Sequence, residues 1–126
     1  MYIRFETYWR DADARQPTGI FQAAAFVRDT GTEHCEPWCR REILLELEWF
    51  CHHLEAPERF FYRPGSYAAR SGICWFKPAA VEHITRGRYL GWLIAEAGLA
   101  TTERRSAHPG RMVWEDNRQA VFLAEH

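Results

Sequence analysis

The sequence predicts an α+β fold: one small domain over residues 1–126, with an antiparallel sheet, including a C-terminal three-strand meander, packed against about three helices. Three observations predict this class. Apolar residues alternate with period two near both ends of the chain, and between them they recur with the helical period. The length, 126 residues with 47% hydrophobic and 26% charged side chains, suits a single packed core.

The N-terminal part predicts a strand followed by a helix. From Tyr2 to Trp9, apolar and polar side chains alternate, as in a strand with one buried face. Thr18 is a candidate N-cap for a helix that ends at Thr30-Gly31. A strand is the alternative there, because apolar residues also alternate between Phe21 and Val27.

The second helix has the clearest boundaries, opening at Glu36-Pro37 and stopping at Ala56-Pro57. One core-facing stripe has helical spacing and consists of Ile43, Leu47, Phe50, Cys51 and Leu54. A second row of apolar residues lies beside this stripe and consists of Trp38, Leu45 and Trp49. The wide apolar arc predicts either a helix buried on two sides or a helix that meets a partner.

The C-terminal half predicts a strand, a helix and then the meander. Ile73 to Phe76 is a short buried strand, and a helix starts at Pro78 and ends at a Gly98 cap. Gly87 and Gly91 predict either a close approach of another element or a break in that helix. The three strands of the meander are expected at Leu99–Arg105, Arg111–Glu115 and Gln119–Ala124.

Composition argues against a membrane partner and against a general affinity for nucleic acid. The net charge of −1 gives no general attraction to nucleic acid or to anionic membranes, although fifteen of the 16 basic residues are arginine. This arginine bias favours a bacterial, GC-rich source. The N-terminus lacks the pattern of a secretory signal, and no apolar run approaches a membrane span. We therefore expect a cytoplasmic protein without a membrane partner.

Neither a cofactor nor a metal is predicted. His34, Cys35 and Cys39 could converge on one metal ion, but Cys51 lies about 18 Å further along the same predicted helix. Buried, reduced cysteines are the preferred interpretation.

An enzyme is the less favoured class. The sequence contains none of the glycine-rich phosphate loops, nucleophile elbows or paired-histidine motifs. Two histidines, His83 beside Glu82 and His108 near the terminal strands, are candidates for acid/base chemistry, and the acidic candidates near those strands are Glu103, Glu115 and Asp116.

The segment from Pro57 to Gly72 combines aromatic and arginine residues, which are enriched at the energetic centres of interfaces. Covering the core is the simpler interpretation of its aromatic residues. The candidate binding residues are Arg59, Phe61, Tyr62, Arg63, Tyr67, Arg70, Trp38 and Trp49.

Three hypotheses follow for the function. The first is a small accessory protein of inhibitor, immunity or regulatory type that binds another protein. The second is a single-stranded nucleic-acid binder in which Arg104 and Arg105 join the aromatic segment. The third is a homodimer formed through the second helix or through an open edge of the terminal sheet.

Overall fold

A computed structural model describes residues 1–7, 18–57 and 72–123 of the chain. Within these ranges it contains six strands and three helices, in the order strand, strand, helix, helix, strand, helix and three strands. The strands are β1 (Tyr2–Thr7), β2 (Thr18–Gly19), β3 (Gly72–Phe76), β4 (Thr101–Ser106), β5 (Arg111–Glu115) and β6 (Gln119–Leu123). The helices are α1 (Ile20–Thr30), α2 (Pro37–His53) and α3 (Val81–Glu96). The predicted α+β class is confirmed.

All strand pairs in the sheet are antiparallel. β1 pairs with β4 over all six of its residues, and its opposite edge joins β3 through Ile3 and Phe76 and the short β2 through Glu6 and Gly19. The sheet continues through β6 to β5, which has an irregular register between Met112 and Trp114. Within the described residues, β4 and β5 therefore form the two ends of the sheet.

The predicted meander is confirmed for the β5–β6 pair and is wrong for β4, which pairs with β1. The path of α3 explains the difference. α3 crosses β1 closely, so the chain that leaves the helix enters the sheet beside β1. Two hydrogen bonds fix this exit: Thr101 Oγ1 donates to the carbonyl of Gly91 at 3.0 Å, and Thr7 Oγ1 donates to that of Ala100 at 2.9 Å.

The three predicted helices form, with two corrections of detail. Thr18 does not cap α1, because it pairs with Thr7 in the sheet and Gly19 takes the N-cap position. Cys51 is exposed instead of facing the core, because the buried stripe of α2 runs through Cys39, Ile43, Glu46 and Phe50. α3 continues unbroken past both of its glycines. None of the described helices is long and apolar enough to cross a membrane.

The main hydrophobic core lies between the sheet and the three helices. Its fully buried side chains include Ile43 of α2 and Leu90, Leu93 and Ile94 of α3. A smaller cluster, formed around Trp75 and Phe122, lies on the other face of the sheet. α1 and α3 pack on the sheet, and α2 packs on α1 and α3, so the outer side of α2 and the neighbouring part of α3 are left to form a surface.

Candidate protein-interaction surface

Large apolar side chains stand exposed together on the outer side of α2 and α3. They are Trp38, Leu44 and Leu45 of α2 and Tyr89 and Trp92 of α3, and their exposed fractions lie between 37% and 53%. Among the described residues, these five make up most of the eight large apolar side chains that are exposed. We call these five residues the docking face.

The aromatic members of the docking face contact one another across the two helices. The rings of Trp38 and Trp92 lie 6.1 Å apart between centroids, and Tyr89 stacks on Trp92 at 6.0 Å with an interplanar angle of 17°. Burial raises the pKa of Tyr89, and the negative charges of Glu42 and Glu46 raise it further. The face is therefore a continuous aromatic surface with carboxylates beside it.

The antiparallel packing of α2 and α3 creates this face. Near the start of α2, Cys39 Sγ contacts the carbonyl oxygen of Leu93 at 3.2 Å. Two turns later, Glu46 accepts from Arg86 of α3 at 3.2 Å. Because α2 uses the stripe that contains Cys39 to reach the core, the row that contains Trp38 and Leu45 lies one step round the helix and faces outward. This row belongs to the wide apolar arc for which the sequence predicts either burial on two sides of the helix or contact with a partner.

Trp49, also a predicted binding residue, lies beside the docking face and packs against its own chain. Its ring stacks on His53 at 4.3 Å with an interplanar angle of 8°, and the guanidinium carbon of Arg86 lies 4.3 Å from the ring centroid. His83 meets the same ring edge-on at 4.9 Å. Trp49 is half-buried, so much of its surface is already used. The other six predicted residues, Arg59, Phe61, Tyr62, Arg63, Tyr67 and Arg70, lie outside the described residues.

Tyr89 and Trp92 are the residues that sequence reasoning missed. The helical spacing in α3 assigns Leu90, Leu93 and Ile94 to the core, and all three are fully buried. On the same helical wheel, Trp92 falls about 150° from the centre of that stripe, which is a signal for an exposed tryptophan. Only the antiparallel register with α2 brings it next to Trp38.

The acid/base candidates are engaged in structural contacts. His83 is buried, and its Nε2 lies 2.8 Å from the carbonyl oxygen of His53, at the end of α2. Because a carbonyl can only accept, Nε2 must carry the proton and act as a helix cap. Glu103 accepts from Arg88 at 2.9 Å, and this hydrogen bond lowers the pKa of Glu103. Glu115 pairs with Lys77, and Asp116 accepts hydrogen bonds from two backbone N–H groups of its turn. The last candidate, His108, is exposed.

Four free cysteines lie within the described ranges. Burial raises the pKa of Cys39 and that of Cys74 to about 11, whereas Cys51 is exposed. No group of three or more potential metal ligands comes together among the described residues. A small cavity of about 40 Å³ lies next to Cys74, with Arg4 and Gln119 in its lining. It has room for only a few water molecules.

We expect the thiols of Cys39 and Cys74 to resist alkylation in the folded chain. At pH 8 a thiol with a pKa of about 11 is about one hundredfold less ionised than a thiol with the ordinary value of 9.0, and the thiolate is the reactive form. Their neutral forms stabilise the fold fully below pH 9.0, and this contribution is lost as the pH rises through about 11. Mass-resolved alkylation should label Cys51 first. Equal labelling rates at all four sites in the native chain would contradict this.

The fold and surface define the class of this protein: an α+β chain with an exposed aromatic face on its helices. Comparisons with protein-family models, with curated proteins and with solved structures find no match. The case for a function therefore depends on the chemistry of the docking face.

Proposed function

We propose that the chain is a small interaction protein, of inhibitor, immunity or regulatory type, that acts by burying its docking face on another protein. One observation carries the proposal: Trp38, Tyr89 and Trp92 are large apolar side chains that stay exposed although their rings contact one another across α2 and α3. Contiguous exposed apolar surface is uncommon on proteins that act alone and typically marks a binding site.

The residue types suit an energetic centre of binding. Tryptophan and tyrosine have few rotatable bonds, so they lose little conformational entropy when they are buried. They also carry a large apolar area, and they are therefore enriched among the residues that dominate affinity. Trp92 is 50% exposed, so about half of the gain from burying it is still available to a partner. The ring contacts of Trp92 with Trp38 and Tyr89 also hold the face in place before binding, which lowers the entropic cost of association.

Single-stranded nucleic acid has less support as the partner. The two arginines expected to contact phosphates outside the aromatic segment already have carboxylate partners. Arg104 donates to Glu6 at 3.1 Å, and Arg105 contacts Glu103 at 2.7 Å. Beside the docking face, the carboxylate of Glu42 lies near Tyr89 and would repel a phosphate backbone, whereas the charge of Glu46 is already paired with Arg86.

The proposal predicts that Trp38→Ala with Trp92→Ala abolishes capture of a protein partner by the tagged chain. Each ring at such a site is worth about 2 kcal/mol or more, so the pair should weaken binding by well over about a hundredfold. The measurement is affinity capture from a lysate of the organism that encodes the chain, with mass spectrometry of the retained proteins and an absorbance ratio for nucleic acid.

Met112→Ala is the matched control, because Met112 is 39% exposed but lies on β5, away from the docking face. A partner that both the wild type and Met112→Ala retain, and that the double variant loses, supports the proposal. Equal retention by all three chains would refute it. Retention of nucleic acid in place of a protein would favour the second hypothesis.

A further inference from the structure

We infer that the docking face also binds a second copy of this chain, with a twofold axis that passes between Leu44 and Leu45 of α2. This inference rests on the proposed docking role and names one partner for the same surface. It starts from the outermost ridge of α2, which consists of Arg41, Leu44, Leu45 and Glu48. All four side chains are exposed, and the two leucines are 42% and 53% exposed.

The two charged residues of this ridge are not neutralised by other residues that the structure describes. Neither Arg41 nor Glu48 forms an ion pair within the part of the chain that the structure describes. They are seven residues apart, so they lie about 10.5 Å apart along the helix, beyond the three- or four-residue spacing of helical ion pairs. Each charge is therefore free to meet one on another molecule.

The spacing of the ridge is self-complementary. A twofold axis midway between Leu44 and Leu45 brings Arg41 of one copy opposite Glu48 of the other, and the reciprocal pair forms by symmetry. The same operation packs the leucines of both copies against each other at the centre. The result is an apolar centre with two ion pairs at its rim, as in stable interfaces.

Only the antiparallel arrangement satisfies the charges. In a parallel pair of α2 helices, Arg41 would face Arg41 and Glu48 would face Glu48, and both contacts would be repulsive. The antiparallel axis lies in the plane of the interface and at right angles to α2. It therefore also places α3 of one copy over α3 of the other. Tyr89 and Trp92 of both copies then flank the contact between the two α2 helices on the same side.

The size of the face predicts a weak dimer. In each copy, two helices that are about 25 Å long and packed about 10 Å apart offer a contact area of about 500 Å² in projection. This lies near the lower end of specific interfaces, for which we expect a Kd on the order of micromolar. Self-association and capture of another protein would then compete for one surface.

Charge exchange across the axis tests the inference. We expect Arg41→Glu to weaken the dimer about tenfold, and Glu48→Arg to weaken it equally, because each change turns two attractive contacts into repulsive ones. The double variant, with both changes, should restore Kd to within about threefold of the wild type. Arg111→Glu on β5 makes the same charge change away from α2 and should leave Kd unchanged. The measurement is sedimentation equilibrium at low salt, where surface ion pairs are strongest.

Weakened dimers in both single variants, together with recovery of Kd in the double variant, would support the second copy as the occupant. A double variant as weak as either single one would overturn the inference, as would a wild type that stays monomeric at every concentration. If the chain is monomeric but still captures a protein through Trp38 and Trp92, this inference fails and the proposed function stands. If it neither dimerises nor captures a protein, both fail.

Discussion

Replacing Glu6 with alanine is expected to destabilise the folded chain by about 3 kcal/mol, a large part of the stability of a small domain. The Glu6 side chain is 4% exposed, and it accepts from Arg4 Nε at 2.9 Å and from an Arg104 guanidinium nitrogen at 3.1 Å. Arg4 is itself 14% exposed and also donates to the carbonyl of Cys74 at 3.1 Å, so its guanidinium would lose a carboxylate contact inside the protein. The measurement is urea unfolding, in which the midpoint should fall while the slope stays constant.

Glu103→Ala is the matched control for this loss. Glu103 also has two arginine partners, Arg88 at 2.9 Å and Arg105 at 2.7 Å, but their side chains are 53% and 59% exposed. Water replaces such contacts at little cost, so we expect a loss of less than about 1 kcal/mol. Equal losses for the two variants would show that the burial of Glu6 does not set the strength of its ion pairs.

A second large effect is expected where α3 crosses β1. A Cβ atom on Gly87 would lie 2.9 Å from Cε2 of Phe5 and 3.4 Å from Cε2 of Phe76, both of which are buried rings. Overpacking of this kind costs about 1–3 kcal/mol, and the better helix propensity of alanine recovers only about 1 kcal/mol. We expect Gly87→Ala to destabilise the chain by up to about 2 kcal/mol, measured as the shift in the free energy of unfolding.

Gly91→Ala, one turn further along α3, should have the opposite sign. Its added Cβ would meet Thr101 Oγ1 at 3.5 Å, which is an ordinary contact. With no clash to oppose it, the gain in helix propensity should stabilise the chain by up to about 1 kcal/mol. If both variants destabilise the chain equally, the close approach at Gly87 is not the reason that position requires glycine.

The fold class and most elements could be predicted because their signals are local. Helical spacing identified α2 and α3, and the period-two pattern identified β1. The strand that pairs with β4 could not be predicted, because it depends on the position at which the chain leaves α3 relative to the sheet. Thr18 was misassigned for a similar reason: its pairing with Thr7 is a contact between strands that the local capping pattern does not contain.

The candidate surface was predictable only in part. The wide apolar arc of α2 pointed to Trp38 and Leu45, because that helix has more apolar residues than one core contact needs. Tyr89 and Trp92 belong to another helix, and only the packing of α2 against α3 makes them neighbours of Trp38. The aromatic and arginine residues of the segment from Pro57 to Gly72 all fall within 58–71, outside the described residues, so the role of this segment stays a prediction.

The strands at the two ends of the described part of the sheet have a consequence for solubility. A terminal strand offers unpaired amide and carbonyl groups that can recruit further strands into aggregates. At one end, β4 reads Thr-Thr-Glu-Arg-Arg-Ser, so a docking strand would have to approach a densely charged edge. At the other, the irregular register between Met112 and Trp114 interrupts the straight template that a new strand requires. The chain can therefore expose apolar side chains on its helices while its described edge strands resist pairing with further strands.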